Sequence, residues 1–512
     1  MVDFLTAFCV LAALAAVALA AVYRYLTSTF DYFEKRGIVG PKPQPLFGNY
    51  YKLWNKVFGA EDVKNVHQYG KVFGTFDGRT PNLIVADADL AKAVLDKERD
   101  HFRSRRAASV KNPLVQKSLS ILAGEVKGSP DVVVALSREK LRKLTPRILK
   151  SLEFLTQNLK KSIEASEPSI DITYAVRNFL AHSLALTLLD KDSQAEEPKV
   201  DQNALSGTLE QVLKIDNPTY PVASFPFVLP AFYSQDCFVL RNSAARYLIP
   251  LIHNTVKEKI SAEKSTDEKR VPDLVDLLLE TVSEQKQTTK DEGKEVESAA
   301  TVNEEAIVAQ SLAVLLNTAQ ATKSTIALSV ATLASKPEIQ DKLHSELNKQ
   351  LQTSTEISFD TVQNAQYLDM FLNEMLRLYP TEYRIEHECL ENTEFENLKI
   401  EKGTIVSIPV YALHHLEDYY PEPHTFNPDR FSPAIAEKRH PYTYLPFGLA
   451  GSNTANVSVQ YGVLVAKLAV ATLIKNFKFV PAEETQIPPP LEEGITGVMK
   501  PKPVKISVEL RK

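Results

Sequence analysis

The stretch Asn373-Glu374-Met375-Leu376-Arg377-Leu378-Tyr379-Pro380 sets a carboxylate and a guanidinium three residues apart, in a run of good helix formers that Pro380 closes. At that spacing the two side chains share one helix face and can pair. A lone pair of this kind is ordinarily a solvated surface bridge of little energetic weight. A second segment changes its meaning. Phe426-Asn427-Pro428-Asp429-Arg430-Phe431 places another arginine between aromatic rings, with Tyr411-Ala412-Leu413-His414 before it and Pro446-Phe447-Gly448 after it. Together these motifs are far more specific than any one of them.

Outward from this region, the 512 residues are 44% hydrophobic and 24% charged, which is the composition of a globular protein with a large core. A formal charge of -5 and the lack of a long basic block give no general attraction to phosphate backbones, so nucleic acid is not expected as a partner. Phe4 to Tyr23 is nearly all apolar, and its ~20 residues are enough to span a ~30 Å hydrocarbon layer. Arg24, Lys35 and Arg36 follow this run and only Asp3 precedes it, so the basic excess puts the main body on the cytosolic side of a membrane. A cleaved signal peptide fits less well, because the basic n-region is missing. The three cysteines, Cys9, Cys237 and Cys389, are too few and too scattered for a disulfide framework or a cysteine-based zinc site.

After the apolar run, Gly37 to Pro45 carries three prolines and reads as a stiff segment. The expected organisation is an anchor over 1–27, a proline-rich linker over 28–48, and one large domain over 49–512. Lys71 to Phe76 alternates like a strand, Asp77-Gly78 reads as a turn, and Asn82 to Val85 reads as its partner strand. Ser283 to Glu305 is polar and is expected to be an exposed loop. It leads to Ala306–Ala334, an apolar run broken by Asn317, Thr318, Gln320 and Lys323, which suits a helix through a protein core. Phe225 to Tyr233 is apolar but interrupted by prolines, and suits either core or a membrane-dipping surface equally.

With these motifs the chain resembles the cytochrome P-450 family of haem-thiolate monooxygenases, nearest the animal microsomal branch that oxidises drugs and steroids. Further likeness lies in Tyr69-Gly70-Lys71-Val72-Phe73-Gly74, in Phe102 to Arg106 and in Phe225 to Pro230, so the resemblance covers nearly the whole chain. It implies a mainly α fold with small β-sheets, a single large domain behind the N-terminal transmembrane helix, and an endoplasmic reticulum membrane location. It also implies that Glu374, Arg377 and Arg430 form a structural salt-bridge cluster. Arg105 and Arg384 match arginines that reach the haem propionates, or else pair with acids such as Glu382 and Glu386.

The resemblance breaks at the haem. Family members follow Pro-Phe-Gly with a loop whose cysteine binds the iron; here Phe447 to Ser458 contains none, and the ligand position falls on Thr454 or on Asn456 according to register. A neutral hydroxyl or amide does not supply the electron density that a thiolate gives to O–O cleavage. Val126 and Pro130 stand where the family has its Trp and Arg propionate donors. The oxygen-activating segment of the long helix becomes Asn317-Thr318-Ala319-Gln320-Ala321-Thr322, with an amide for the acid and Ala321 or Thr322 at the threonine position. These departures lead to the expectation of a degenerate, catalytically inactive membrane protein with no cofactor, binding a lipophilic small molecule or a protein partner. Two alternatives are a non-redox isomerase or cyclase using the apolar cavity, and a haem-binding monooxygenase with a non-cysteine ligand such as His387, His414 or His415.

Overall fold

The computed structural model describes residues 2–49, 58–97, 101–102, 104–105, 113–122, 135–190, 204–205, 207–208, 242–261, 270–291, 303–352, 356–395, 398–447, 457–492 and 499–511. Its longer helices are α1 (Val2–Thr27), α2 (Phe58–Tyr69), α3 (Pro113–Leu122), α4 (Arg138–Glu164), α5 (Ile172–Leu188), α6 (Asn242–Ser261), α7 (Leu274–Asp291), α8 (Glu304–Asn317), α9 (Lys323–Ser335), α10 (Pro337–Leu351), α11 (Gln366–Leu378) and α12 (Val457–Asn476). Side-chain oxygens start several of them. Ser137 accepts from the Lys140 amide, Asp171 from Tyr174 and Asn303 from Ala306, each satisfying a first-turn N–H that has no carbonyl partner within its own helix.

A five-stranded sheet has the order β1-β2-β8-β5-β3, from β1 (Val72–Asp77), β2 (Thr80–Val85), β3 (Ser104–Arg105), β5 (Ile385–Glu388) and β8 (Ile405–Ile408). β4 (Ile170–Asp171), β10 (Lys505–Leu510) and β9 (Phe477–Pro481) form a second sheet, and β6 (Thr393–Phe395) pairs with β7 (Leu398–Ile400). The strands read at Lys71–Phe76 and Asn82–Val85 are the β1–β2 hairpin, with Asp77 opposite Thr80. The chain is thus mostly helical with small sheets. The main core lies among the helices, where α8 and α9 run through the body with almost every apolar side chain buried. A separate apolar cluster backs the first sheet.

Ser283 to Asp291 is the polar end of α7 and not a loop, because Leu274, Leu277, Leu278 and Val282 bury one face and carry the helix past the start of the polar run. Phe225 to Tyr233 lies outside the described residues.

Residues 28–48 pack on the first sheet. Phe33 is buried against Phe76, with ring centroids 5.3 Å apart, and sits over Gly74 so closely that a Cβ there would meet the ring at 2.3 Å. Gly74→Ala is therefore expected to lower stability by about 1–3 kcal/mol through overpacking. The check is a lower urea midpoint at unchanged slope.

Candidate functional site

α11 begins where the Glu346 carboxylate of α10 accepts the Tyr367 and Leu368 amides at 2.7 and 3.0 Å, and it ends before Pro380. Its inner face carries Glu374 and Arg377, both fully buried. Arg377 donates from Nε to Glu374 Oε2 at 2.7 Å and from Nη2 to Oε1 at 2.9 Å. The Asn427 amide donates to the same Oε1 at 2.9 Å, and Arg430 Nε lies 3.5 Å from it. The structure thus brings Glu374, Arg377 and Arg430 together, with the buried charges paired and their hydrogen-bonding capacity largely used.

His414 completes the cluster. Arg377 Nη1 donates to the His414 carbonyl at 2.8 Å, His414 Nδ1 lies 3.1 Å from the Arg377 carbonyl, and the Leu445 amide donates to His414 Nε2 at 3.0 Å. Both ring nitrogens are engaged and the ring is the neutral Nδ1–H tautomer, so His414 has no lone pair to offer a metal. Burial, with His415 and Arg377 nearby, holds its pKa well below the ordinary histidine value. Burial also pushes His415 down, to about 3, while its ring stacks on Tyr411 at 3.9 Å.

α8 passes into α9 through a π-helical turn at Thr318–Thr322, a feature that often marks functional segments of helices. Across from it lies α12. Asn317, Ala321, Thr322 and Thr325 face Leu372 and Leu376 of α11, Thr381, Phe447, and Val459, Gly462, Val463 and Ala466 of α12 around a cavity of about 40 Å³. The cavity is apolar apart from the Asn317 amide and the three threonines. Of the four positions assigned to oxygen handling, Ala321 and Thr322 line it. Thr318 is buried elsewhere and Gln320 is half-buried outside the lining. Thr454 and Asn456, like Val126 and Pro130, lie outside the described residues.

Arg384 is given to an acid that no local signal singles out. Its Nε and Nη2 hold Asp62 of α2 at 2.7 and 2.5 Å, a bidentate buried pair spanning 322 residues of sequence. Glu386 also acts on this guanidinium through its charge. Arg105 lies in β3, where it pairs with His387 of β5.

A cytochrome P450 family model matches residues 39–508. The chain is a member of the cytochrome P450 family. It is similar to Cytochrome P450 3A41 of Mus musculus, 30% identical over 509 residues, covering 97% of this chain and 95% of the relative. It is also similar to Cytochrome P450 3A29 of Sus scrofa, 31% identical over 502 residues (96% and 95%), and to Cytochrome P450 3A6 of Oryctolagus cuniculus, 30% identical over 506 residues (97% and 96%).

Membership in this monooxygenase family corrects one expectation. Absence of any cofactor does not stand, because the P450 family binds haem and this chain matches its model over nearly its whole length. That expectation rests on three local segments, the ligand loop, Val126 with Pro130, and residues 317–322, whereas the family match spans 39–508. Among the described residues, α8–α9 and α12 approach each other closely beside this cavity. A Cβ placed on Gly462 would come 2.7 Å from Thr322 Oγ1, so the two helices touch at that point. The cavity beside that contact has space for only a few water molecules.

Two outcomes follow. Glu374→Gln leaves Arg377 as a buried charge without its partner, and is expected to cost about 3–5 kcal/mol by chemical unfolding. The second concerns pH. Below about pH 6.5 the unfolded chain protonates both histidines, while the folded chain keeps His415 neutral down to about pH 3 and His414 neutral well below its ordinary value. Their contribution is complete above that pH and is lost on acidification, at about 1.4 kcal/mol per pH unit for each ring. Urea midpoints measured between pH 7 and pH 5 should fall accordingly, and His415→Phe should make the fall shallower.

Proposed function

We propose that this P450 is a membrane member of its family that has lost oxygen activation and holds a lipophilic small molecule or a protein partner. In this reading 1–27 is the anchor in the endoplasmic reticulum membrane, 28–48 joins it to the body, and 49–512 is a cytosolic P450 domain. α1 supports the anchor: Thr6–Thr27 is long and apolar enough to cross a membrane, with a mean hydropathy of 2.3 and none of it buried in the body. The apolar helix α12 passes the same length and composition test but is 72% buried, as a core helix would be.

One observation carries the loss of oxygen activation. No cysteine follows Cys389, so no register of the loop between Phe447 and Ser458 brings a thiolate to an iron. This reading concerns the ligand and its electron donation, and holds whether or not haem is taken up. Gln320 and Ala321, in place of the family's acid and threonine, support it from a second segment. The intact Glu374–Arg377–Arg430 cluster supports a retained scaffold.

The test is a carbon-monoxide difference spectrum on the full chain, together with NADPH- and reductase-dependent oxidation of a steroid panel. The expected result is no thiolate-type band and no turnover, with a thiolate-type band appearing in Thr454→Cys or in Asn456→Cys. A thiolate-type band in the unaltered chain would overturn the proposal.

A further inference from the structure

The hold on α6 changes character along its length. Ala244, Leu248, Ile252 and Val256 recur every four residues and are all buried, so they form one stripe on this helix, which packs against α8. In the last turn the apolar stripe stops. Lys257, Glu258, Ile260 and Ser261 are exposed there, and Lys259 alone turns inward. The end of α6 is therefore anchored by charge and not by apolar area.

Lys259 Nζ lies 2.5 Å from Asp273 Oδ2, 3.0 Å from Asp276 Oδ1 and 3.7 Å from Asp190 Oδ2. Asp273 is fully buried and immediately precedes α7. Its Oδ1 accepts the Asp276 amide at 3.0 Å, and Asp276 Oδ2 accepts the Asp273 amide at 3.0 Å. Arg270 pairs with Asp190, and lies 3.3 Å from Asp276 and 3.7 Å from Asp273. Arg147 of α4 donates to Asp190 Oδ1 at 2.6 Å and to the carbonyls of Leu186, Val271 and Pro272. Three acids and three cations thus join α4, the end of α5, the end of α6 and the start of α7.

Two of these carboxylates share one ammonium in a place closed to water, so ionising both sets like charges side by side. Burial first, and then the Asp276 charge, push the Asp273 carboxyl up to about 6. When Asp273 takes a proton, Lys259 keeps Asp276 and Asp190, and no cation is stranded. In an opened junction Asp273 meets water and returns to the ordinary aspartate value of about 4. The closed form thus binds the proton more tightly than the open one, and closing is favoured as pH falls through 6.

We infer that the junction of α6 and α7 is a proton-operated clasp, in which one proton held by the Asp273–Asp276 pair tightens the grip of Lys259 on the last turn of α6. Its response runs opposite to that of His414 and His415, so on acidification the clasp closes locally while the body as a whole loses stability.

The experiment is hydrogen exchange read by mass spectrometry on the full chain in phosphatidylcholine nanodiscs, with rates corrected for the intrinsic effect of pH. Protection of peptides covering 252–261 and 273–282 should rise about fourfold from pH 7.5 to pH 5.5, while peptides of α9 should gain nothing. Asp273→Asn, which has no carboxyl to protonate, should show no rise. His253 of α6 lies 3.2 Å from Glu304 of α8 and gains a charge in acid, so His253→Gln is the control, and it should keep the rise. If Asp273→Asn does not fold, Lys259→Gln takes its place: without the shared ammonium the rise should move to higher pH. A flat or falling profile in the unaltered chain would overturn the inference. So would a rise that survives Asp273→Asn, vanishes in His253→Gln, or stays unmoved in Lys259→Gln.

Discussion

The interaction on which the rest depends is the buried pair between Glu374 and Arg377. Two charges taken out of water are costly, and their attraction offsets that cost only when the geometry is good and the remaining hydrogen-bonding capacity is met. Here it is met by backbone from three distant places: the Asn427 amide, the His414 carbonyl and, through the His414 ring, the Leu445 amide. The pair therefore does more than join two side chains. It fixes α11, the helix Val410–His415 and the run from Leu445 to Phe447 relative to one another.

Much of this frame was legible in the sequence because it is carried by local spacing. Glu374 and Arg377 announce their pairing by standing three apart on a helix, and the β1–β2 hairpin shows itself through alternation and Asp77-Gly78. The apolar run after Ala306 shows a core helix for the same reason. Each signal lies within a window of a few residues.

What escaped the sequence depended on partners far along the chain or on competing forces. Asp62 carries no local sign that it will take Arg384, since the pair exists only after α2 and the strand region at 385 have been brought together. The polar residues from Ser283 to Asp291 looked like a loop, yet the buried leucines upstream keep them helical. The expectation of no cofactor leaned on three short segments, whereas family membership is a property of the whole chain. The Gly462–Thr322 contact could not be read from either helix alone.

The π turn at Thr318–Thr322 has a consequence for how this helix relates to others of its length. One residue more than an α-helical turn requires shifts the phase of everything on one side of it by about 100° relative to the other. Residue order and facing direction therefore part company within five positions, and neighbours such as Ala321 and Thr322 both reach the cavity. The stretch works as a splice between two helical phases, so the side chain presented to the cavity is chosen by the hydrogen-bond ladder as much as by its place in the chain.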